Sequence, residues 1–85
     1  MNEISQAIRT ILVNTLAVPA TEVTSETSIR SLPNFDSVRI LEVILEIEKR
    51  FDIEISDEAT FNVTTVLDLE VLVASALGER RSVLA

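Results

Sequence analysis

Between Asp36 and Asp52 the chain reads S-V-R-I-L-E-V-I-L-E-I-E-K-R-F, with apolar side chains at helical spacing and neither glycine nor proline. Each helical residue advances about 100°, so Ile40, Val43, Ile44, Ile47 and Phe51 share one sector of ~100°. Asp36 is a good N-cap for this helix, and Pro33 lies just outside it. A helix of this kind must bury its main face, so the question becomes what the remaining residues offer to cover it.

They offer further helices. Strand signals are poor, with one Gly, two Pro and no hairpin dipeptide such as Asn-Gly. Ile4, Ile8, Ile11, Leu12 and Thr15 fall on one face and predict a first helix from about Glu3 to Ala17, closed by Pro19. The segment from Pro19 to Asp36 has no helical period. Val23, Ile29, Leu32 and Phe35 are scattered through it as anchors onto a core, which argues against disorder in a loop of this length. After Phe51, D-I-E-I-S-D-E-A-T-F-N-V reads as a linker with one short helical turn near Ser56 to Phe61. A last helix is expected from a Thr64 or Thr65 cap to about Leu77, with Gly78 as its stop and 79–85 as a flexible tail. The expected fold is all-α: a four-helix bundle with three longer helices, one short helix and a long loop between helices 1 and 2. Residues 1–85 form a single domain, with a core of Ile4, Ile8, Ile11, Leu12, Ile40, Val43, Ile44, Ile47, Phe51, Val66, Leu69, Val73 and Leu77.

With an apolar fraction of 47%, the chain can build one core without a staple, and with no Cys and no His neither a disulfide nor structural zinc is at hand. The same absences, with no Tyr, leave few groups for acid–base or nucleophilic catalysis, and no catalytic residue is assigned. The only Gly is Gly78, so there is no glycine-rich phosphate loop. D-I-E-I-S-D-E alternates oxygens as a calcium loop would, but the sixth position lacks Gly and the twelfth from Asp52 is Val63, so no metal site is expected. Fourteen acidic against seven basic side chains leave a net charge of −7. That balance disfavours nucleic acid and anionic membrane surfaces and favours partners with basic patches. No apolar run reaches the length of a bilayer span, and the first ten residues do not read as a signal peptide, so a cytoplasmic protein is expected.

Two features need more than a fold. Val38, Leu41 and Leu45 form a second apolar stripe about 120° from the core face, bordered by Glu42, Glu46 and Lys49. The long loop could cover it, Leu41 most easily, under Leu32 or Phe35. Otherwise it is a docking surface. Ser37 is the second feature. A serine after a long loop, at the first turn of a helix, is either part of a cap or an accessible attachment point whose phosphodiester would meet free N–H groups and the positive helix end.

The residues F-D-S-V (Phe35 to Val38), the following I-L-E-V-I-L-E-I-E-K-R-F, the linker D-I-E-I-S-D-E and the closing V-T-T-V-L-D-L (Val63 to Leu69) together resemble the acyl carrier protein family, over nearly the whole chain and in order. The resemblance implies the acyl-carrier type of bundle and a carrier rather than an enzyme. Ser37 would take 4′-phosphopantetheine from a phosphopantetheinyl transferase, with Asp36 as the flanking motif residue. The arm's thiol would carry an acyl or aminoacyl group as a thioester. Val38 and Leu45 match apolar positions that meet partners, Glu42 matches an acidic one, and Arg39, Leu41 and Glu46 complete that surface. Partners would be an acyl- or aminoacyl-loading enzyme and downstream transferases or synthases, with the carrier a monomer.

Three departures stand out. L-P-N-F-D-S replaces the family's Leu-Gly-x-Asp-Ser, one residue longer and without Gly. Val38 replaces Leu or Met, and Arg39 replaces a frequent acid. The pathway served would be fatty-acid, polyketide or other specialised biosynthesis, and these departures lean away from a housekeeping fatty-acid role towards a dedicated one, such as a specialised acyl chain, a polyketide or an activated amino acid. The alternative is an unmodified helical interaction module that uses the Val38, Leu41 and Leu45 stripe.

Overall fold

A computed structural model describes the backbone of residues 2–84 and the side chains of residues 3–78. Helix α1 spans Asn2–Leu16, α2 Ser37–Phe51, α3 Asp57–Asn62 and α4 Val66–Leu84. The bundle is all-α, with three long helices and one short one, as expected. Two 3-10 turns, Ala20–Glu22 and Ile29–Ser31, break up the long loop.

The core forms where the helical periods meet. Ile8 and Leu12 of α1, Val43 and Ile47 of α2, and Leu69 and Val73 of α4 are completely covered. Each such side chain contributes roughly 1.5–3 kcal/mol by leaving water. Every residue expected in the core is there, with Ile4, Ile11, Ile40, Phe51 and Leu77 half-buried at its margin. Leu16, Val18 and Val63 join it as well.

The loop from Pro19 to Asp36 is part of the fold. Val23, Ile29 and Leu32 are buried, and Phe35 packs against the core from its edge. Its backbone is pinned to the start of α4: Leu67 N–H donates to the Ser25 carbonyl at 2.8 Å, and Val66 N–H to that of Thr27 at 3.0 Å. Ile29 N–H donates to the Thr64 carbonyl at 2.9 Å, beside an antiparallel bridge between Ser28 and Thr65. Loop carbonyls thus satisfy N–H groups that a helix N-terminus leaves without partners. Thr65 and Asp68 do the rest as a reciprocal cap. The Thr65 hydroxyl accepts from Asp68 N–H at 3.2 Å, and the Asp68 carboxylate accepts from Thr64 and Thr65 N–H, both at 3.0 Å.

Glu70 is buried on α4, with 3% of its surface exposed. It lies on the core face because it follows Val66 by four residues and precedes Val73 by three. The hydroxyls of Ser5 on α1, at 2.9 Å, and Ser25 in the loop, at 3.3 Å, donate to its two oxygens. One carboxyl group therefore ties α1, the loop and α4 together.

α2 ends at Asp52, whose φ of 54° reverses the chain, and the Glu48 carboxylate accepts from Ile55 N–H at 2.8 Å. Ile53 is buried and Ile55 half-buried, so this linker plugs the core, and no group of three potential metal ligands occurs among the described residues. α3 is capped by the Ser56 hydroxyl, which accepts from Ala59 N–H at 3.1 Å, and contributes no buried residue.

One expectation is corrected. Gly78 does not stop the last helix, which continues to Leu84. A glycine ends a helix when it adopts positive φ. Gly78 does not, and stays in the helical run. The flexibility expected of 79–85 concerns side chains outside the described residues. No helix among the described residues is long and apolar enough to cross a membrane.

Candidate functional site

Ser37 is the first residue of α2, and the turn that delivers it is built residue by residue. Leu32 is buried and fixes the approach. Asn34 then takes φ 66°, a left-handed conformation that Asn tolerates better than most residues. Phe35 drops its ring against the core. Asp36 is fully extended, at φ −156° and ψ 177°, and its carboxylate accepts from Arg39 N–H at 2.7 Å. The cap is thus Asp36, which leaves Ser37 exposed beside the first-turn N–H groups and the positive helix end.

A groove of about 420 Å³ opens beside Ser37. Phe35, Ile40 and Leu41 form one side, Thr60, Phe61 and Val63 the other, with Ile29 also lining it. Arg30 and Asp57 are its charged members. Arg30 donates from Nη2 to the Phe61 carbonyl at 3.3 Å, tying the loop to the end of α3. None of Arg30, Asp57, Thr60 and Phe61 is distinguishable as a lining residue by periodicity. Only the closeness of a loop and a short helix reveals them.

The second stripe is uncovered. Val38, Leu41 and Leu45 are 63%, 52% and 55% exposed, so the long loop does not shield them. Glu42 and Glu46 are exposed beside them, and Glu46 meets Lys49 at 3.8 Å in a solvated pair of little weight. Arg39, Glu42, Leu45 and Glu46 also share a second, more polar groove with Ile11, Asn14 and Thr15 of α1. Across that groove Arg39 donates from Nη1 to the Thr15 carbonyl at 3.2 Å.

The departure before the serine is narrower than the sequence suggests. In Leu-Gly-x-Asp-Ser the glycine stands three residues before the serine, where this chain has Asn34 in a glycine-like conformation. The added residue therefore falls between Leu32 and Asn34 in the sequence. The signal was an Asn, the other residue that enters this region readily, at that position.

The sequence profile described as "Phosphopantetheine attachment site" matches residues 6–73. An "Acyl carrier protein" of Amoebophilus asiaticus (strain 5a2) is 36% identical over 80 residues, covering 94% of this chain and 100% of the relative. Another, of Karelsulcia muelleri (strain GWSS), is 35% identical over 82 residues, covering 96% and 99%. A third, of Rubrobacter xylanophilus, is 42% identical over 64 residues, covering 75% and 79%. With a phosphopantetheine attachment domain over most of its length and relatives matched nearly end to end, the chain belongs to the acyl carrier protein family, whose members are non-catalytic carriers.

Proposed function

We propose that Ser37 is the attachment residue and that this protein is a discrete cytoplasmic carrier, monomeric while it works, serving a dedicated acyl, polyketide or aminoacyl pathway. The observation that carries the reading is the setting of Ser37: an exposed hydroxyl at a helix start, capped by a neighbour, on the rim of an apolar groove. The residues present fit a phosphodiester. Asp36 holds the cap, so Ser37 Oγ is available to displace 3′,5′-ADP from coenzyme A, its proton passing to a base of the transferase. The first-turn N–H groups and helix dipole favour the anion that results. When bound, the prosthetic arm supplies the thiol on which an acyl or aminoacyl group is held as a thioester.

The groove beside Ser37 gives an apolar cargo a place out of water, between α2 and the short α3. The exposed Val38, Leu41 and Leu45 stripe, edged by Glu42 and Glu46, suits the transferase, the loading enzyme and the downstream acceptors, each bringing an apolar pocket with a basic rim. Arg39 borders that surface.

Intact-protein mass spectrometry tests the reading. Incubation with coenzyme A and a broad-specificity phosphopantetheinyl transferase should add one phosphopantetheine to the wild type and nothing to Ser37→Ala. A folded wild type that gains no mass beside an active control carrier would overturn it. The exposed stripe would then mark an unmodified interaction module.

A further inference from the structure

The residues on either side of Ser37 are both tied to the C-terminus of α1. Three positions before the serine, Asn34 Nδ2 donates to the Leu16 carbonyl at 2.7 Å. Two positions after it, Arg39 Nη1 donates to the Thr15 carbonyl at 3.2 Å. These are two of the last four carbonyls of α1, which no helical N–H can reach. α1 carries no basic residue in its own last turn. Arg39, for its part, is placed badly for its own helix, since a cation in the first turn of α2 faces the positive dipole end. Reaching across to the negative end of α1 resolves both mismatches at once.

We propose, on the reading that Ser37 is the attachment residue, that Asn34 and Arg39 are positioning residues for its modification. Together they clamp the segment that carries the serine to α1, so that Oγ is presented in one orientation to the incoming phosphorus. Asn34 fixes the backbone before the cap, and Arg39 fixes the first turn after it. The basic side chain at position 39 thus acts within the fold, not as a charge read by the transferase.

Steady-state kinetics of phosphopantetheine transfer from coenzyme A test this, with heat denaturation confirming that each variant is folded at the assay temperature. Asn34→Gly keeps access to the left-handed backbone and removes the amide. Arg39→Ala removes the guanidinium, and Arg39→Lys keeps a donor that can reach the carbonyl. Asn34→Gly and Arg39→Ala should each lower kcat by about tenfold or more, with KM for the carrier little changed, because misorientation acts after binding. Arg39→Lys should recover part of the loss. Both damaging variants should shift the Ser37 amide resonance in the same direction. Unchanged kcat in both, with the wild type modified normally, overturns the clamp and leaves the attachment reading intact. A raised KM in Arg39→Ala alone also overturns it, making Arg39 a transferase contact. A wild type that is never modified defeats the attachment reading itself.

Discussion

At the scale of single residues, the carboxylate of Asp68 shows how a local bond becomes a pH dependence. The N–H of Thr65 donates to it first in weight and that of Thr64 next, holding its pKa below the ordinary value of 3.8. A depressed carboxylate pKa stabilises the folded state above the unfolded value, and the contribution fades as pH falls through the folded one. Thermal midpoints measured from neutral pH downwards should therefore fall more steeply for the wild type than for Asp68→Asn below 3.8. Parallel curves would show that the cap is not felt in solution. Thr65 was legible as a cap from its place before an apolar run. Asp68 was not singled out, although Thr-x-x-acid is the spacing of a reciprocal cap. Glu70 does not stand out in the sequence, because a lone carboxylate ordinarily faces solvent. Its spacing from Val66 and Val73 places it inside, and a buried carboxyl implies donors such as Ser5 and Ser25 somewhere else in the chain.

Among the elements, α2 was legible to the residue, because the Asp36 cap and the apolar period ending at Phe51 agree with each other. α4 was cut short at Gly78 by a rule that depends on backbone conformation, which composition does not reveal. Gly78 lies within a helix, and a Cβ built there meets nothing within 4 Å. Gly78→Ala should accordingly stabilise the protein by about 0.5–1 kcal/mol in urea unfolding, through lower backbone entropy in the unfolded chain. A loss of stability would mean that the helix does end near Gly78. The long loop shows the opposite limit: its anchors Val23, Ile29 and Leu32 were visible as apolar residues, but not the carbonyls of Ser25 and Thr27 that cap α4. Backbone bonds across some forty residues leave no side-chain signature.

For the whole molecule, the proposed encounter with the transferase draws on both the net charge of −7 and the uncovered stripe of α2. Val38→Ala and Leu45→Ala remove exposed surface, so each should change unfolding free energy by no more than ~0.5 kcal/mol. Each should nevertheless raise KM for the carrier in phosphopantetheine transfer severalfold with kcat kept, and added salt should raise KM further by screening the acidic border. Unaltered KM in both variants would exclude the stripe from that encounter. The all-α class and the four helices were evident from spacing, whereas the groove exists only because α3 folds back beside α2. That wall has a mechanical character of its own. No residue of α3 is fully buried, and the helix is joined to the loop by the Arg30 bond to the Phe61 carbonyl. Displacing it exposes little new apolar surface, so its compliance is high while α1, α2 and α4 stay locked around their shared core. A cleft with one soft wall, α3, facing a stiff one made of the loop and α2 can change its width while the start of α2 keeps its place.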